Sequence, residues 1–334
     1  MNGGDARRIS QNKIIDIVSR AGVYFIILLL FIVGAFVNKN FLTVNNLKNV
    51  IIACAQLGIV CAGMGFVTYA GKMVDMSAPI TIAISGIVVI DTLYIGVPQA
   101  LLLGLVSAAF IGLINGVIIG KFKANAIIWT LSMNFLLDGL IRWLYSNKQI
   151  YPDTAAADFP DRAEVFVQIA RTDFLGIPLA VWTMLAVMAL SQFVMTRTAF
   201  GKQLKVIGSN ADVAKYSGIH TTKNVMIAYV LAALGAGIAG IFITSLGKVG
   251  AYYNGTGYEF QAATAIVLGG MSLSGGRGDM VGILGGVITV KLMSNILTFL
   301  GIGTFVQNIV TGIIFILIVF IQTQSLRKLG RDNG

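Results

Sequence analysis

Between Gly22 and Gln322 the chain returns ten times to apolar stretches close to the length of a bilayer crossing, separated by short polar connections. They lie near 22–37, 50–69, 79–94, 100–120, 126–145, 176–195, 225–245, 260–273, 281–299 and 305–322. A helix needs about 20 apolar residues to span the hydrocarbon, and a lipid environment leaves a helical chain no way to satisfy its backbone except within itself. The expectation is an all-α, polytopic membrane protein of about ten transmembrane helices. Composition agrees: 56% of the 334 residues are hydrophobic and 11% charged, where soluble domains carry roughly a quarter charged residues.

A net charge of +10 would point to nucleic acid in a soluble domain, so its distribution matters. Of the 24 Lys and Arg, Arg142 and Lys291 lie within spans and Lys39, Lys48, Lys148, Arg162, Arg171 and Lys248 fall on one side, leaving sixteen on the other. The positive-inside rule then puts both termini in the cytoplasm and leaves no call for a nucleic-acid partner. Residues 1–21 read as a cytoplasmic segment, 22–322 as one transmembrane unit and 323–334 as a cytoplasmic tail. The loop 196–224 is expected on the cytoplasmic side and the loop 146–175 on the outer side. No small-residue cleavage site follows the first apolar run, so it reads as a retained span.

Cys54 and Cys61 sit in one apolar run and His220 is the sole histidine, which argues against a disulfide framework or a metal site. Gly104, Ala108, Gly112, Gly116 and Gly120 recur every fourth residue, as do Ala232, Ala236 and Gly240. Such faces admit a close neighbour, and helix packing accounts for them. Two spans are short: one begins at Pro79 and loses its apolar character by Asp91, and the other runs into "SGGRG". Broken or short helices near 70–80 and 261–280 are either a pointer to a transport pathway or helices buried by their neighbours.

Polar residues inside spans are costly and mark either a path or an internal pair. Asn134, Asp138 and Arg142 share one face at i, i+4 and i+8, where Asp138 and Arg142 are spaced to pair with each other. Lys291, Ser294, Asn295 and Thr298 share a face of the ninth span, and Lys291 has no local anion, so its partner is either the path or an acid such as Asp138 or Asp91 across helices. Asn115 and Gln261 could hydrogen-bond a neutral hydroxylated solute or join helices to one another.

One segment is unlike the rest. In "GSNADVAKYSGIHTTKN" either Ser209 or Asn210 can cap a two-turn helix with Asp212 in its first turn, Lys215 near its end and Gly218 as its stop. So short a helix needs support, from anionic lipid against Lys202, Lys205 and Lys223, or from a protein groove that takes the Val213 and Tyr216 side.

"NNLKNVIIACAQLGIVCAGMGFVTYAGKMVDMS", "FGKQLKVIGSNADVAKYSGI" and "GTGYEFQAATAIVLGGMSLSGGRGDMVGILGGVI" resemble, in that order, segments of the permease subunits of bacterial ABC importers of the ribose, galactoside and autoinducer-2 type, within the branched-chain amino acid and sugar permease superfamily. The resemblance implies a multi-pass permease of the bacterial inner membrane, taking up a small sugar-like solute. It implies a second permease copy or paralogue, an ATPase subunit on the cytoplasmic side and a periplasmic solute-binding protein as partners. ATP and Mg would be used by the ATPase, and this chain would bind no cofactor and be no enzyme. The helix from Ser209 to Gly218, with Asn210, Asp212, Val213, Ala214 and Tyr216, would couple to the ATPase. Asp75 and Ser77, which match the family's Asp and Ser, join Asn115, Asn134, Asp138, Gln261, Lys291 and Asn295 as candidates for the translocation path. The chain departs from the pattern where relatives carry two glycines before "IDLS" followed by Val-Gly-Ser: it reads Lys72-Met73 before "VDMS", then Ala78-Pro79-Ile80.

No G-x-x-x-x-G-K-[ST] occurs, and no loop is long enough for a nucleotide-binding domain, so energy from ATP would come through a partner. The alternative is an ion-coupled secondary transporter, for which Asp91, Asp138, Arg142 and Lys291 are the available coupling groups. An intramembrane enzyme lacks a set of catalytic groups.

Overall fold

The computed structural model describes residues 22–331, with side chains described through residue 320. Each of the ten expected segments coincides with a helix, while residues 1–21 lie outside the described residues. In chain order the helices are α1 (Gly22–Val37), α2 (Val44–Tyr69), α3 (Ala78–Asp91), α4 (Val97–Lys121) and α5 (Ala126–Leu144). Two short helices, α6 (Pro152–Ala155) and α7 (Pro160–Ile169), precede α8 (Leu179–Arg197). Then come α9 (Ala199–Ser209), α10 (Ala211–Tyr216), α11 (Thr221–Gly247), α12 (Tyr258–Leu268), α13 (Met280–Phe299) and α14 (Thr304–Arg331). Among the described residues six of these, α2, α4, α5, α8, α11 and α13, are long and apolar enough to cross a membrane. The helix of α14 continues past residue 322, where the sequence closes the transmembrane unit.

Local chemistry sets the helix starts. Pro79, Pro98, Pro152 and Pro160 stand in the first two positions of α3, α4, α6 and α7, where a missing N–H costs nothing. Pro79 therefore opens its helix and does not interrupt it. Side chains of Asn125, Thr198 and Asp279 accept from Ile128, Gly201 and Gly282 backbone N–H groups and cap α5, α9 and α13.

The core is built around α2, buried without interruption from Cys54 to Tyr69, and α11, which packs on α2, α3 and α4. The glycine faces do what their spacing suggests. A Cβ at Gly112 would overlap Ala233, and one at Gly116 would overlap the backbone of Met226. Backbones pack this closely because dispersion and lipid exclusion, not a hydrophobic gain, hold helices together in a bilayer.

α3 and α12 are only 14 and 11 residues long, about 21 and 16 Å of helix against the roughly 30 Å of a hydrocarbon core. α3 lies beside the second half of α11, with Gly86 against Thr244 and Ser85 donating to the Gly237 carbonyl. α12 starts beside the middle of α2, where the Tyr258 hydroxyl donates to Gln56, and ends beside the start of α13, with Gly269 against Gly282. The two helices therefore begin at mid-depth and run to opposite faces. Their starts meet, since a Cβ at Gly255 would overlap Pro79 backbone atoms. The order long helix, break, short helix, long helix occurs twice, in α2 to α4 and α11 to α13, with inverted direction, an arrangement that puts irregular backbone inside the bundle and away from lipid.

The face reached by α3 is closed by residues 146–178. Here β1 (Asp173–Phe174) pairs antiparallel with β2 (Ile177–Pro178), a small exception to the all-α expectation. Ser245 of α11 accepts from Ala170 N and donates to the Phe166 carbonyl, which seats α7 on the end of α11. Ile150 and Gly250 exchange both backbone hydrogen bonds.

Candidate functional site

Two polar clusters flank the place where α3 and α12 begin. In the first, one Asp75 oxygen accepts from both the backbone N–H and the hydroxyl of Ser77, at 2.9 and 2.6 Å, so the carboxylate closes the irregular segment onto the head of α3. Asn115 of α4 donates to the Ser77 hydroxyl at 2.8 Å and accepts from the indole of Trp129 on α5 at 2.9 Å. Thr130 accepts from Met76 N. Asp75, Ser77, Asn115 and Thr130 are buried, so this chain of bonds joins α3, α4 and α5 with its polar atoms away from lipid. The hydroxyl of Tyr229, a fully buried side chain on α11, has no hydrogen-bond partner.

In the second cluster, Lys291 of α13 donates to Oε1 of Gln261 on α12 at 2.6 Å, with its ammonium 4.8 Å from the centre of the Tyr258 ring. Tyr258 reaches on to Gln56 of α2. One turn along α13, Asn295 and Asn46 of α2 donate to each other at 2.9 and 3.0 Å. Further on, Thr298 accepts from Gln307 of α14. The result is a ladder of amides and hydroxyls that climbs one face of α13 from a cation at mid-depth.

The structure thus brings together Asp75, Ser77 and Asn115 on one side of the break and Gln261, Lys291 and Asn295 on the other. Lys291 does not pair with Asp138 or Asp91: its neighbours are the Gln261 amide and the Tyr258 ring. Asp138 is taken by Arg142 at 2.7 Å, and the guanidinium of Arg142 stacks on the Tyr252 ring at 3.7 Å. Asn134 lies one turn from Thr130 with a buried, unbonded Oδ1, and neither it nor Asp138 hydrogen-bonds into the two clusters. Sequence reasoning missed Gln56, Trp129, Thr130, Tyr229 and Tyr258. Gln56 carried a signal, as the one amide in the run from Val50 to Met64.

The third group of candidates lies on α10. Asn210, and not Ser209, is the cap: its Oδ1 accepts from Asp212 N and Val213 N at 2.9 and 3.0 Å, while Ser209 closes α9. At the other end Gly218, at φ +74°, lets Ile219 N reach the Ala214 carbonyl and Gly218 N the Lys215 carbonyl, a Schellman stop. Ala214 is fully buried, whereas Val213 and Tyr216 are 51% and 88% exposed. Asp212 stands exposed in the first turn. The support such a short helix needs is α9, an amphipathic helix the sequence reading passed over, which buries Gly201, Leu204 and Ile207 and turns Lys202 and Lys205 outward.

The family described as branched-chain amino acid transport system / permease component matches residues 46–319, which contain both clusters and α10. The chain belongs to this permease family. The permease is 32% identical over 301 residues to the L-arabinose transport system permease protein AraH of Escherichia coli, covering 88% of each chain. It is 32% identical over 311 residues to the ribose import permease protein RbsC of Bacillus subtilis, covering 92% of this chain and 94% of the relative. The probable ABC transporter permease protein YphD of Escherichia coli is 32% identical over 305 residues, 90% of this chain and 89% of that one. No solved structure matches. The resemblance read from the three sequence segments is borne out: this is a multi-pass ABC permease.

Proposed function

We propose that this permease forms, with a second copy or paralogue, the membrane pathway of a bacterial inner-membrane importer for a small hydroxylated, sugar-like solute. A solute-binding protein delivers the solute on the face closed by residues 146–178. A separate subunit, hydrolysing ATP with Mg on the opposite, cytoplasmic face, drives the exchange between outward-open and inward-open states. This chain holds no nucleotide.

The observation that carries the reading is α10: six residues capped at both ends, anchored by Ala214 alone, with Val213 and Tyr216 turned outward. An isolated helix of that length does not persist in water, so a short helix this firmly terminated is built to present a surface. The exposed cations Lys202, Lys205, Lys215 and Lys223 on the same side support a cytoplasmic position. The amides and hydroxyls beside Lys291 match a solute rich in hydroxyl groups, and sugars are what the arabinose and ribose relatives are named for. For the ion-coupled alternative, Asp138 is already neutralised by Arg142.

The test is Val213→Asp with Tyr216→Asp in the assembled importer. The double variant inserts normally and its complex hydrolyses ATP, but uptake falls at least tenfold. Uptake at the parental rate contradicts the assignment.

A further inference from the structure

Three stretches of backbone from different parts of the chain touch at the α10 end of the bundle without a side chain between them. Gly208 is in the last turn of α9, three residues before α10 begins. A Cβ there would run into the Tyr69 carbonyl and come within 2.6 Å of Gly276 N. Gly276 N donates to that same Tyr69 carbonyl at 2.9 Å. A Cβ at Gly275 would lie 2.6 Å from Gly71 N and 2.8 Å from the Cα of Gly208. Gly71, Gly275 and Gly276 have φ of +70°, +91° and +72°, so the two loops are bent into conformations that L side chains rarely adopt in order to reach this point.

What the three stretches lead to gives the contact its meaning. Tyr69 ends α2 and the chain then runs through Asp75 and Ser77 into α3. Gly275 and Gly276 lie in the connection that leaves α12 and enters α13, the helix that carries Lys291. Gly208 belongs to α9, whose apolar face is fixed in the core and whose end carries α10. Side chains between packed helices yield by changing rotamer, and backbone in direct contact has no such slack.

We propose that this junction delivers movement of α10 to both short helices at once, with Gly208 as a positioning residue for the transport step. The inference rests on the reading of α10 as the seat of the ATPase. It adds that the two clusters at mid-depth are moved together, through one rigid contact.

Gly208→Ala in the assembled importer tests this, with solute taken up per ATP hydrolysed as the readout. The ATPase subunit remains bound and ATP hydrolysis continues, while uptake per ATP falls at least tenfold. A parental ratio in Gly208→Ala, alongside uncoupling in Val213→Asp/Tyr216→Asp, overturns the junction and leaves the α10 reading standing. Parental uptake in the latter pair removes both. A second measurement needs no substitution at the glycine: spin labels on Ser209→Cys and Ser274→Cys, both exposed, report the separation across the contact. That separation stays constant between the nucleotide-free and ATP-trapped importer if the junction is rigid, and an opening of several ångströms overturns it.

Discussion

Lys291 holds its ammonium 2.6 Å from Oε1 of Gln261, with the Tyr258 ring as its other partner and no carboxylate within ion-pair distance among the described residues. Neutral groups therefore support a cation at the middle of α13. Insertion scales put the cost of a charge at that depth at about 3 kcal/mol, and replacing buried ions by apolar groups of similar volume is often stabilising. Lys291→Met is expected to leave the protein at least as stable to heat in detergent while lowering uptake at least tenfold. Parental uptake at normal expression removes Lys291 from the path.

Asn115 links Ser77 to Trp129 and is fully buried. Asn115→Ala leaves the indole N–H and the Ser77 hydroxyl short of a partner, a loss of about 1–3 kcal/mol for buried groups. Trp129→Phe removes one of the same bonds from the other end. The two substitutions together are expected to cost less than the sum of their separate effects, because they break one shared interaction. Thermal unfolding of the purified variants measures this, and strict additivity counts against the network.

Met73 occupies left-handed backbone at φ +61°, held by the Thr68 hydroxyl, which donates to its carbonyl at 2.6 Å. It stands where the resembling permeases carry glycine before their Asp and Ser. A non-glycine residue pays roughly 1–2 kcal/mol for that conformation, and the entropy a glycine loses on folding returns part of it. Met73→Gly is expected to raise the unfolding temperature by about a degree, whereas Met73→Ala keeps the strain and gives no gain.

Much of this was written in the local pattern. Hydrophobic run length placed the helices. The spacing of Asp138 and Arg142 announced their pair, because residues four apart on a helix are neighbours. Gly218 and Asn210 marked the ends of α10 through chemistry confined to a few residues. What stayed hidden depends on which faces meet. Periodicity says that Lys291 and Asn295 share a face, and nothing in it says that Gln261 or Asn46 will be opposite. That register is set by backbone approaches such as Gly116 to Met226 and Gly255 to Pro79, which belong to no single helix. α9 was passed over for a different reason. Its large apolar positions, Phe200, Leu204, Val206 and Ile207, are too few and too interleaved with Lys202 and Lys205 to register as a span, yet they suffice for a helix lying against the bundle.

In the function proposed here this chain is a gate without an engine. The most direct test takes whichever member of a radiolabelled sugar and polyol panel the solute-binding partner holds, and follows its accumulation in vesicles containing the purified permease, alone and together with an ATPase and solute-binding partner. Uphill accumulation is predicted only for the complete assembly with internal face ATP, and none for the permease alone under a proton or sodium gradient. Gradient-driven accumulation by the permease alone would contradict the account.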